Sequence, residues 1–113
     1  KAYTGRGAAY NNKGQHDRAI EDYNKAIALD PNDAYAYNNR GIAYGRRGQY
    51  DRAIEDFNKA IALDPNYAQA YTGRGFAYAM KGNMGRAISD FQKACDMGVE
   101  NGCEGLKMVL QNR

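Results

Sequence analysis

The chain has 113 residues, room for one compact unit, and carries 16 Lys and Arg against 13 Asp and Glu for a formal net charge of +3. Acids and bases alternate along it without forming a block, so nucleic acid is not the partner its charge suggests. No apolar run approaches the roughly 20 residues that cross a bilayer, and Lys1 to Gly7 hold no signal-peptide apolar core, which leaves membrane insertion out and the compartment open.

In chain order the sequence repeats itself. Asp17-Arg18-Ala19-Ile20-Glu21-Asp22 returns unchanged as Asp51 to Asp56, and Asn24 to Asn32 returns as Asn58 to Asn66, a period of 34. The first copy spans 1–33, the second 34–67, and a looser third 68–99, where Gly85-Arg86-Ala87-Ile88-Ser89-Asp90-Phe91 keeps the register. Each copy reads as a helix A and a helix B separated by a glycine turn. In the second, Tyr37, Gly41 and Tyr44 recur at helical spacing and Gly48 supplies the stop, which predicts helix A over roughly Ala34 to Arg47. Asp51 sits where an N-terminal acid is favoured, and Ala53, Ile54, Phe57, Ala60 and Ile61 form an apolar stripe that Asp64-Pro65 ends. Helix B is thus predicted over roughly Asp51 to Leu63. The small residues Gly41, Ala53 and Ala60 mark a close approach of two helices, with aromatic side chains filling the space around them. The tail, 100–113, reads as one further amphipathic helix, seven in all.

This pattern resembles the tetratricopeptide repeat family, whose motif runs aromatic, leucine, glycine, tyrosine, then alanine, aromatic, alanine and proline. Copy one supplies Tyr3, Gly7, Tyr10, Ala19, Tyr23, Ala26 and Pro31. Copy two supplies Tyr37, Gly41, Tyr44, Ala53, Phe57, Ala60 and Pro65. Copy three has Tyr71, Gly75, Tyr78, Ala87, Phe91 and Ala94, with Val99 where proline is usual. The resemblance covers about residues 2 to 99. It implies an all-α, right-handed superhelical solenoid of antiparallel helix pairs, with the tail as a capping helix over the last apolar face.

Arginine replaces the usual leucine in every copy, at Arg6, Arg40 and Arg74, and an aspartate follows sixteen residues later, at Asp22, Asp56 and Asp90. We expect each arginine to lay its stem on the seam between helices A and B and to pair with its own aspartate, against the simpler reading that both are solvated.

Catalytic constellations are nearly absent, and no enzyme activity or cofactor is expected. His16 stands in the A–B turn, at the place of Tyr50 and Met84 in the other copies. Glu21-Asp22 and Glu55-Asp56 recur as scaffold acids. Gly5-Arg6-Gly7 and Gly73-Arg74-Gly75 lie mid-helix and follow no strand, so they are no phosphate loop. Cys95, near the end of the third helix B, and Cys103, in the first turn of the tail helix, stand on adjacent antiparallel helices and are a candidate disulfide; two small packed thiols are the other reading. The stretch from Ala94 to Cys103 also resembles the disulfide-bearing SEL-like repeats of secreted bacterial proteins. A bridge implies a periplasmic or secreted protein, free thiols a cytoplasmic one. No neighbouring His or Cys completes a metal site.

In the family the A helices line a concave groove. Opposite the packing seam, copy two presents Tyr35, Asn38, Asn39, Ile42 and Arg46, copy three Gln69, Thr72, Gly73, Phe76 and Met80, and copy one Asn11 and Asn12 among others. These positions differ between copies whose packing positions are nearly identical. The expected contact residues are therefore Asn12, Asn38, Asn39, Ile42, Arg46, Thr72, Phe76 and Met80, serving a peptide or protein ligand. Chaperone-binding members of the family hold a terminal carboxylate with Lys, Asn, Asn, Lys and Arg. The matching residues here are Thr4, Ala8, Asn39, Gln69 and Gly73, so only Asn39 agrees and that clamp is not expected. Two further readings are self-association, by end-to-end stacking, and single-stranded RNA binding, which the tyrosines suggest less strongly because most of them are claimed by packing.

Overall fold

The structure, a computed structural model, describes residues 15–111. These form six α-helices: α1 (His16–Leu29), α2 (Ala34–Arg46), α3 (Tyr50–Leu63), α4 (Ala68–Met80), α5 (Met84–Asp96) and α6 (Glu100–Gln111). The expected first helix A lies outside the described residues, so the structure shows six of the seven helices read from the sequence. The second copy ends its helix A at Arg46 where Arg47 was expected, and begins its helix B at Tyr50, one residue before Asp51.

Local chemistry sets these boundaries. Asp33 caps α2 by accepting the Ala36 N–H at 3.3 Å, which satisfies one of the donors a helix start leaves open. At the other end Gly48 turns to φ 78°, and the Gln49 N–H reaches back to the Tyr44 carbonyl at 2.9 Å. Gly82 and Gly98 repeat that stop, with Asn83 bonded to Tyr78 and Val99 to Ala94. α1 and α3 end differently, at Asp30 and Asp64 in extended conformation ahead of proline, where each carboxylate accepts the N–H two residues on at 3.1 Å. At the third copy, which has Val99 in place of proline, the Gly98 stop does this work and α6 starts directly at Glu100.

Consecutive helices pack in antiparallel pairs. Among the described helices, α2 also touches α4 and α4 touches α6, whereas α1, α3 and α5 do not touch one another. The A-type helices α2, α4 and α6 are therefore drawn together on one side and the B-type helices spread on the other, so the inner row lies on the concave side. Fully buried alanines, among them Ala19, Ala53, Ala60, Ala70 and Ala87, let the backbones approach, and Tyr23, Phe57 and Phe91 fill the seams. Burying such aromatic side chains contributes on the order of 2 to 3 kcal/mol each relative to exposure.

The recurring arginine pairs as its spacing predicts. Arg40 donates Nε and Nη2 to the two carboxylate oxygens of Asp56 at 2.8 and 2.7 Å, and Arg74 does the same to Asp90 at 2.8 Å for both bonds. The Arg40 side chain is one-fifth exposed and the Asp56 side chain 7 % exposed. The remaining donor goes to the preceding repeat: Arg40 Nη1 to Asn24 Oδ1 and Arg74 Nη1 to Asn58 Oδ1, both at 2.8 Å. The Arg40 guanidinium lies over the Tyr37 and Tyr44 rings at 5.6 and 5.8 Å, which covers it with aromatic faces. Each arginine thus ties three helices together. Arg6, the expected partner of Asp22, lies outside the described residues. Burial pushes the Asp56 carboxyl up while the Arg40 guanidinium pulls it back, and the same hydrogen bond holds Arg40 all the more firmly in its charged form.

Cys95 and Cys103 are joined in a disulfide, with their Cα atoms 4.6 Å apart, so α6 is stapled to the end of α5. α6 covers the last apolar seam: Val109 is buried with Phe91 and Ala87, and Leu106 packs at its edge. Gly102 and Gly105 permit this, since a Cβ on Gly105 would stand 2.7 Å from the Phe91 ring.

Candidate functional site

The inner row positions the candidate residues by helical phase. On α2, Tyr35, Asn38, Ile42 and Arg46 follow at three- and four-residue steps, and on α4, Gln69, Thr72, Phe76 and Met80 do the same, so two parallel stripes face the concave side. At the C-terminal half of both helices the stripes part around an open cleft of about 320 Å³, lined by Ile42, Arg46, Phe76 and Met80 together with Gly41, Gly45, Tyr50, Phe57, Gly73 and Ala77. The surface is mainly apolar, and its outer wall is accessible: Phe76 is 41 % and Met80 64 % exposed.

The floor of this cleft is the Phe57 ring, pushed up from α3 between the two inner helices. A Cβ on Gly73 would stand 2.5 Å from its Cζ, so that position must lack a side chain for the ring to rise that far, and one on Gly41 would press on it at 3.0 Å from its Cε1. Phe76 is braced from behind by Phe91, edge to face at 4.9 Å between centroids, which fixes its ring as a wall.

Midway along the stripes the chemistry changes. Asn38 and Thr72 are 3 and 7 % exposed, set below the rims of the groove, and the Asn38 Oδ1 and Thr72 Oγ have no hydrogen-bond partner. Asn39 is half-buried with its amide nitrogen likewise unpartnered, and it does not line the cleft. The Tyr23 hydroxyl is also buried without a partner, and its phenol is pushed far above its ordinary pKa by burial. Asn12 lies outside the described residues. Of the eight candidate contact residues the structure therefore brings Ile42, Arg46, Phe76 and Met80 around one cleft, buries Asn38 and Thr72 away from it, and leaves Asn39 to one side.

The N-terminal ends of the stripes open on a third environment that the sequence reading did not single out. Asp30, Asp33 and Asp64 converge there with Tyr35 and Tyr67 around a shallow hollow of about 580 Å³. Burial pushes the Tyr67 phenol up to about 12, the Tyr35, Asp33 and Asp64 charges add to the rise, and a hydrogen bond from the Asn38 side chain opposes it. The signal was present in the sequence as the Asp-Pro-Asn that ends helix B of the first and second copies, read only as a helix stop. Among the described residues no helix is long and apolar enough to cross a membrane, and no group of three or more His, Cys, Asp or Glu is placed to hold a metal ion.

Comparison with known proteins gives this architecture a family. Models of the tetratricopeptide repeat match residues 34–67 and 57–89, and a TPR repeat model matches 7–48. The first TPR of Spaghetti (RPAP3), bound to the HSP90 peptide SRMEEVD, superposes with a TM-score of 0.92 at 27 % identity, covering 98 % of this chain and 90 % of that one. The second TPR domain of human RPAP3, in complex with the HSP70 peptide SGPTIEEVD, gives 0.87 at 31 % identity over 95 % and 91 %. MamA gives 0.79 at 35 % identity, over 85 % of this chain and 56 % of its own. A comparison with curated protein sequences finds no match. With the repeat matched along most of its length and a relative this similar over nearly all of both chains, the chain belongs to the tetratricopeptide repeat family.

Proposed function

We propose that the chain is a protein-interaction module that holds a peptide or protein segment in the concave groove of its A helices, by shape and hydrogen bonding and without a catalytic step. One observation carries this reading: Ile42 and Arg46 from one repeat and Phe76 and Met80 from the next surround a single open, apolar cleft. Convergence of side chains from two repeats on one accessible apolar surface is what a ligand running across the array requires. The peptides bound by both similar RPAP3 domains support the ligand class.

The full array in this proposal is a right-handed superhelix of seven helices, with repeats at 1–33, 34–67 and 68–99 and a cap at 100–113, and Asn12, Asn38, Asn39 and Thr72 join the four cleft residues as contacts. The disulfide supports a periplasmic or secreted setting. The ligand differs from the chaperone tails. Of the five clamp positions Thr4, Ala8, Asn39, Gln69 and Gly73, only Asn39 carries the residue that grips a terminal carboxylate in the chaperone-binding members, and a backbone at Gly73 offers no cation. SRMEEVD is accordingly expected not to bind.

Selection of a random peptide display library on the purified chain tests the reading, run in parallel on a Phe76→Ser, Met80→Ser variant. Met80 is largely exposed, and because Phe76 packs on Phe91 a thermal melt of the variant accompanies the selection to show that the fold is kept. The wild type is expected to enrich a consensus and the variant to lose it. Equal enrichment on both would remove the cleft as the binding site.

A further inference from the structure

We infer that the Cys95–Cys103 disulfide is a redox-sensitive lock on the groove: intact, it seats α6 against Phe91 and so steadies the Phe76 wall of the cleft, and reduced by a dithiol it releases both. This rests on the groove reading above and adds its regulation.

A line of contacts runs from the staple to the cleft. The disulfide joins the end of α5 to the first turn of α6, where the two helices approach closely: a Cβ on Gly102 would stand 2.6 Å from that of Ala94. Further along α6, a Cβ on Gly105 would stand 2.7 Å from the Phe91 ring, and Val109 is buried in the same cluster as Phe91. Phe91 is fully buried, and its ring meets that of Phe76 edge to face at 4.9 Å. Phe76 in turn lines the cleft, and α6 also packs on α4, the helix that carries it. Seating of α6 therefore closes the pocket that holds the brace of the groove wall.

The helix depends on its staple. It has twelve residues, two of them glycines, and a helix of that length and composition is marginal on its own. Val109 is its one buried side chain, whereas Met108 and Leu110 are about half exposed. A cap with so little apolar surface beneath it opens locally at low free energy once the covalent link is gone. Cys95 and Cys103 are both partly exposed, so a reductant reaches their sulfurs. One thiolate of a dithiol attacks one sulfur and expels the other cysteine; its second thiolate then displaces the first, which leaves two cysteine thiols and the reductant as a disulfide. Two electrons and two protons pass from the dithiol to the protein. Because the competent groove is the one with α6 seated, the apparent affinity for a ligand falls with the fraction of molecules that keep it seated.

The three phenylalanines of the chain, Phe57, Phe76 and Phe91, are the floor, wall and brace of the site, so NMR of the protein with carbon-13 phenylalanine reports on each without a ligand. Spectra are recorded before and after dithiothreitol, beside those of a Cys95→Ser, Cys103→Ser variant. Reduction is expected to shift or broaden the Phe91 and Phe76 ring signals while the Phe57 signal stays, and the serine variant to match the reduced protein under both conditions. Binding of a peptide from the display selection is expected to weaken at least about threefold on reduction. Phe76 and Phe91 signals that stay in place overturn the inference. Collapse of all three signals together shows unfolding of the whole array and overturns it as well, as does a peptide held equally tightly in both states. A selection that yields no peptide on the oxidised chain removes the groove reading, and the ring signals then decide by themselves whether the disulfide holds the wall.

Discussion

Arg40 donates to Asp56 on α3 and to Asn24 on α1, so its removal leaves a largely buried carboxylate and an amide without their cation. Arg40→Ala is expected to cost about 3 kcal/mol or more in urea unfolding, and Arg40→Lys most of that, because an ammonium cannot serve three acceptors through a planar fork. A loss below about 1 kcal/mol would place the pair among solvated ones. The Asp56 and Asp90 partners were legible in the sequence because sixteen residues separate them from Arg40 and Arg74. Asn24 and Asn58 stand sixteen residues before the same arginines and were not picked out, because packing against the preceding repeat is not contained in one copy's helical phase. Tyr67 adds a pH dependence. Its folded pKa of about 12 lies above the ordinary 10.0, so its contribution to stability is complete below about pH 10 and is lost as pH rises through 12. A phenolate absorbance titration is expected to show a late component that Tyr67→Phe reduces, the still later Tyr23 remaining; titration of Tyr67 together with the exposed tyrosines would contradict its burial.

At the scale of the element, the glycine stops and the Asp-Pro ends were readable because each is a local rule, and the helices of the second copy begin and end within a residue of where those rules put them. The depth of the groove was not. Period gives the direction of a side chain around its helix and says nothing of how high its neighbours stand, so Asn38 and Thr72 share a stripe with Ile42 and Phe76 yet lie far below them. Gly73 was assigned to the groove face by the same reasoning; its missing side chain makes room for Phe57. Gly73→Ala is therefore expected to destabilise the fold by about 1 to 3 kcal/mol, despite alanine's higher helix propensity, because the ring has to move. A stabilised variant in a thermal melt would refute that packing. The staple between α5 and α6 closes a loop of sequence separation 8. Its reduction is expected to cost about 2.5 kcal/mol and to raise hydrogen exchange first in α6. Unchanged α6 protection would show that the cap holds by packing alone.

Across the whole molecule the arginine ladder and the inner row run in the same direction, and both change character at α6. The residue sixteen after Gln92 is Met108, so no arginine reaches back from the last helix, and the Gln92 side chain donates instead to Asp96 at 2.9 Å. α6 closes the seam over Phe91 and leaves Met108 and Leu110 about half exposed. The array therefore keeps its packing positions nearly the same between its repeats, and the inner stripe differs: amide and isoleucine on α2, hydroxyl and phenylalanine on α4. Hydrogen exchange of the intact chain, with and without a peptide taken from the display selection, tests the groove most directly. Protection gained along 42–46 and 76–80 is the predicted result. Protection confined to the outer helices α1, α3 and α5 would place the ligand elsewhere and contradict the account.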